Sequence, residues 1–93
     1  MSDVRDKQFW ALTDSFIQLA NTHLNEAKPS KVSASALFAA SRFNAFVITV
    51  SASSKEQLIA EKEAAIAYFL EQYETMLREN IEEHLARYDQ PTP

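Results

Sequence analysis

Few side chains in this sequence have the type and spacing to do chemistry, and they are scattered. His23 and Glu26 stand three apart, which sets both on one helix face where a metal ion could use them. Carboxylate-bridged metal bundles, however, take Glu-x-x-His from two helices plus further Glu residues. The second histidine, His84, has Asn80 and Ile81 behind it and no matching acid. Serines stand at positions 30, 33, 35, 41, 51, 53 and 54, yet a nucleophilic serine needs an oriented base and an oxyanion hole. Helix capping and small-residue packing account for them better. No catalytic residue, metal site or cofactor is expected.

Arg42 and Asn44 are polar exceptions inside an otherwise apolar segment, where a charge must be paired or reach solvent along its stem. They are the binding candidates, together with Trp10 at the edge of an apolar stripe. The structural alternative is that Arg42 pairs with an acid on a later helix, or with carbonyls at a helix end, and that Trp10 serves core or interface. Glu61, Glu63, Glu71, Glu74, Glu79, Glu82 and Glu83 read first as a solvated helix face and second as a surface for a basic partner.

The absence of glycine excludes most. Phosphate-cradling loops, dinucleotide fingerprints, EF-hand turns and nucleophile elbows need glycine for positive φ or close backbone approach. Type I′ and II′ hairpin turns lean on it too, which argues against sheet.

The elements that must position these residues are helices. Phe9, Leu12, Phe16, Leu19, Ala20 and Leu24 recur at three- and four-residue steps and predict a helix over about 6–25, widened by Trp10 and Ile17. Asp3 and Asp6 complement its dipole, and Pro29 stops it. Ser30 or Ser33 is placed to cap a second helix over about 31–51. Val32, Ala36, Ala39, Ala40, Phe43, Phe46, Val47 and Val50 share one side of it, whereas Leu37 and Ile48 point nearly the opposite way. The β-branched run from Phe46 to Val50 would read as a strand alone, but Ala-rich flanks and missing turn chemistry favour helix. Phe43 and Phe46 are expected to be buried, so that truncation to Ala costs about 3 to 5 kcal/mol.

Ser53 with Glu56, and Ser54 with Gln57, match the capping box ahead of a third helix over about 55–88. Its inner face reads Ile66, Phe69, Leu70, Tyr73, Met76, Leu77, Ile81, Leu85 and Tyr88. Glu74 with Arg78 and Glu83 with Arg87 are acid-first pairs four apart. Residues 89–93 read as a disordered tail.

The 93 residues are one domain's worth and carry a net charge of −4, with nine acids and four bases from 55 to 93. No basic patch invites nucleic acid. With no cysteine and no signal-peptide pattern at the start, the expected location is cytoplasmic. The 19 residues from 34 to 52 lack acids, but Arg42, Asn44 and several hydroxyls argue against a membrane span.

The stretches 8–10, 16–21 and 40–46, the last reading Ala-Ser-Arg-Phe-Asn-Ala-Phe, together with 68–73, resemble a bacterial family catalogued as domain of unknown function 3144. The resemblance spans about residues 8 to 83. It implies a small helical cytoplasmic protein and supplies no cofactor or catalytic residue.

The expected fold is all-α, a three-helix bundle or helical hairpin with a long C-terminal helix. That helix, about 34 residues at 1.5 Å each, would run roughly 50 Å, against about 30 to 35 Å for a compact globule of this size. A non-enzymatic, self-associating interaction protein is therefore expected, as a homodimer with Leu37, Ile48, Met76, Leu77, Ile81, Leu85 and Tyr88 in the interface. The alternatives are a small-ligand-binding protein or enzyme with a pocket near Arg42, Asn44 and Trp10, and an adaptor whose acidic C-terminal helix binds a basic protein.

Overall fold

Asp6 begins the first helix by holding one of its free amides: its carboxylate accepts from the Phe9 N–H at 2.9 Å. Helix α1, Lys7–His23, follows and ends on ordinary right-handed backbone at Leu24. A short turn, in which the Glu26 and Ala27 amides donate to the His23 carbonyl, leads into α2, Pro29–Ser51. The computed structural model describes residues 4–88. The parts read for Asp3 and for the tail 89–93 lie outside the described residues.

The first turn of α2 departs from the sequence expectation. Pro29 opens this helix, and the Lys28 carbonyl takes the Lys31 and Val32 amides. Ser30 and Ser33 are helical rather than caps, because proline's preset φ and missing N–H suit it to the first helical position. α1 has already ended at His23, so Pro29 starts the second helix rather than stopping the first.

The capping box forms in one of its two readings. Ser54 Oγ accepts from the Gln57 N–H at 3.1 Å, while Gln57 Oε1 reaches back to Ser53, accepting from its N–H and from its hydroxyl at 2.7 Å. Helix α3, Lys55–Tyr88, then runs 34 residues without a break. Its two acid-first pairs are made, Arg78 to Glu74 at 2.8 Å and Arg87 to Glu83 at 3.1 Å. Both are well exposed and contribute little each.

The protein is all-α, three helices with a long C-terminal one, and no strand occurs among the described residues. The chain divides into two units, Met1–Val47 and Ile48–Pro93, with the division inside α2. In the first unit α1 and most of α2 form a hairpin. Its side chains are at best half-buried, as at Phe9, Ala20, Val32 and Asn44. Phe43 and Phe46 touch, with ring centroids 6.1 Å apart, but they are 64% and 58% exposed. The expected burial of this pair is overturned: two helices cover one side of each other only, and both rings sit on surface the hairpin leaves open.

In the second unit Ile48, Ala52 and Leu58 are half-buried around the start of α3, whereas every residue from Tyr73 to Tyr88 is exposed. Along α3, Ile66, Leu77 and Tyr88 stand eleven apart, as do Leu70 and Ile81, and Tyr73 and His84. Eleven residues make almost exactly three turns' worth of rotation at 3.67 residues per turn, so this stripe drifts little around the helix. None of the described residues is buried. The most apolar 18-residue stretch of α2 has a mean hydropathy of 1.3, and by length and composition this helix could also cross a membrane.

Candidate functional site

A groove of about 860 Å³ lies between α1 and α2 in the first unit. From α1 and the following turn come Phe16, Leu19, Ala20, His23 and Ala27. From α2 come Lys31, Val32, Ser35, Ala36, Ala39, Ala40, Phe43 and Asn44. Steps of four explain the lining: Leu19, His23 and Ala27 descend one face of the chain, and Lys31, Ser35, Ala39 and Phe43 the facing one. Five alanines leave room between the helices, and Phe16 and Phe43 wall the end away from the turn. The volume falls in the usual range of ligand clefts, roughly 300 to 1,000 Å³.

The polar groups are few, and among the described residues no carboxylate lines the groove. Among the described residues neither His23 nor Ser35 has a side-chain hydrogen bond or ion pair, so no base is held against a hydroxyl here. Other hydroxyls serve the backbone: Ser41 donates to the Phe38 carbonyl at 2.8 Å and Thr22 to the Gln18 carbonyl at 3.0 Å. No group of three or more His, Asp or Glu side chains converges among the described residues.

Of the three binding candidates only Asn44 reaches the groove. Trp10 is engaged elsewhere: the Arg5 guanidinium lies 5.8 Å from its ring centroid, and Phe9 meets it edge to face at 4.8 Å. Arg42 is exposed and, among the described residues, has no hydrogen-bond or ion-pair partner. The expected pairing of Arg42 is therefore not made, because a guanidinium in water needs no protein acceptor. Sequence reasoning missed His23, Lys31 and Ser35 as lining residues. Their step of four onto Leu19, Ala39 and Phe43 was the signal that could have found them.

A second, shallower feature lies on α3 alone, where Glu74, Leu77, Arg78, Ile81 and Glu82 border a dimple. Of the expected interface residues, Leu37, Met76, Leu77, Ile81, Leu85 and Tyr88 are exposed in the single chain, and Ile48 is half-buried.

Residues 9–85 match the family described as Protein of unknown function (DUF3144), most of the chain. The chain belongs to this family. No curated protein and no solved structure matches it. Family membership names no activity, so the reading of function rests on the surfaces above.

Proposed function

We propose that this family member works by association rather than catalysis, as a self-associating helical interaction protein forming a homodimer in the cytoplasm. One observation carries the reading: none of the described residues is buried, although Phe16, Phe43, Phe46, Leu70, Leu77 and Ile81 belong to residue types that folding normally removes from water. Contiguous exposed apolar surface marks an interface in a soluble protein. Short chains bury little by themselves, and a second copy is the commonest cover. The lack of cysteine suits a reducing compartment.

Sedimentation equilibrium at micromolar concentration tests this. A mass of twice 10.5 kDa is expected, and a clean monomer mass would sink the reading. A ligand reading is served by the same groove, whose apolar walls carry Lys31 and Asn44. A thermal-shift screen against metabolites and anions addresses it, since a compound that binds only the folded state must raise its stability.

A further inference from the structure

Resting on that reading of self-association, we propose which surfaces meet: the α1–α2 groove of one copy takes the apolar stripe on the C-terminal half of α3 from a second copy, reciprocally. A helix that docks in a groove presents anchors at i, i+3, i+4 and i+7. Leu70, Tyr73, Leu77 and Ile81 stand at i, i+3, i+7 and i+11, the same three- and four-residue steps, on exposed helix. The groove offers a floor of Ala36, Ala39 and Ala40, small enough for a helix to come close.

Charge chooses among the ways two copies could meet. Among the described residues Lys31 is the charged side chain lining the groove, beside His23, and no carboxylate lines it. Described residues up to Val47 hold five bases and three acids, whereas α3 holds four bases and eight acids. Along the stripe Glu74 and Glu82 flank Leu77 and Ile81, with Glu71, Glu79 and Glu83 close by in sequence and Arg78 engaged by Glu74. Groove against groove would set Lys31 against the Lys31 of the other copy, and α3 against α3 would set carboxylates facing carboxylates. Exchange brings opposite charges together, which fixes register and speeds encounter more than it adds affinity. Reciprocity follows from closure: a one-way contact would leave one groove and one stripe open and propagate into a filament.

Paramagnetic relaxation enhancement reads the contact without assuming a register. The chain has no cysteine, so Ser35→Cys carries a single nitroxide, with Ala39→Cys as a second position should the first disturb folding. Spin-labelled protein of natural isotopic abundance is mixed with ¹⁵N-labelled wild type. The expected result is that amides of residues 70–88 in the ¹⁵N copy lose more than half their intensity, and that Lys31→Glu weakens dimerisation about tenfold more than Lys7→Glu. Loss confined to residues 4–47, or no loss, in a sample of dimer mass would overturn the exchange and leave self-association standing. Loss in 70–88 only when label and isotope share one chain would overturn it in favour of the chain's own α3. A monomer mass would end both proposals.

Discussion

Truncating Phe43 to Ala should weaken assembly far more than it weakens the single chain. Phe43 stays 64% exposed in one copy. An aromatic residue removes about 150 to 250 Å² from water when fully covered, so roughly 100 to 160 Å² of this one remains wet. If a partner covers half of that, the gain is about 1 to 2 kcal/mol per copy at ~25 cal/mol per Å², and about 2 to 4 kcal/mol for a symmetric pair. The dissociation constant of Phe43→Ala should therefore rise roughly 30- to 700-fold. Sedimentation equilibrium over a concentration series measures it, and thermal melts at two concentrations cross-check it. The wild-type Tm should climb with concentration, and the variant's should do so only at much higher concentration. A dissociation constant within threefold of wild type, joined to a concentration-independent drop in Tm, would place Phe43 in an intramolecular core and refute the reasoning.

Two further outcomes follow from local features. Asp6→Ala and Ser54→Ala should each cost about 1 kcal/mol in thermal melts because each loses a capping acceptor, whereas Glu56→Ala should cost under about 0.5 kcal/mol because the capping bonds run through Gln57. With anionic or neutral vesicles the protein should stay in the soluble fraction of a flotation gradient, since Arg42 and Asn44 interrupt α2. Flotation of the wild type would make α2 a membrane segment and the exposed rings lipid-facing.

The three helices were legible because the signals that make them are local. The Ser54 and Gln57 box and the Glu74 and Glu83 pairs depend on residues three or four apart and form, with Gln57 reaching back to Ser53 rather than to Ser54, and Asp6, read as a partner of the helix dipole, also caps α1. Pro29 misled because its two roles, ending one helix and beginning another, look alike in sequence and only the backbone before it decides. The apolar side of α2 was legible as a face, and Val32, Ala36, Ala39, Ala40 and Phe43 do line one groove. Its burial was not legible, because periodicity names the side that seeks cover without saying which molecule supplies it. Arg42 attracted notice as a charge among apolar neighbours, but a helix covered on one side only leaves such a charge in water. Lys31 went unmarked, and His23 was weighed only as a metal ligand, for the converse reason: polar residues on an apolar face look like noise until the opposing helix turns the face into a wall.

The eleven-residue spacing of the α3 stripe has a consequence for the lengths this helix tolerates. Adding one residue turns everything beyond it by about 100°, which would carry Leu77, Ile81 and Leu85 off the line of Ile66 and Leu70. Adding seven or eleven misplaces the line by only about 20°. α3 should therefore accept changes in length only as whole sets of turns, and a single-residue deletion near Gln72 should be as damaging as replacing several apolar side chains at once. The helix would still form in such a variant, with its circular dichroism intact, while its two halves presented their stripes to different directions.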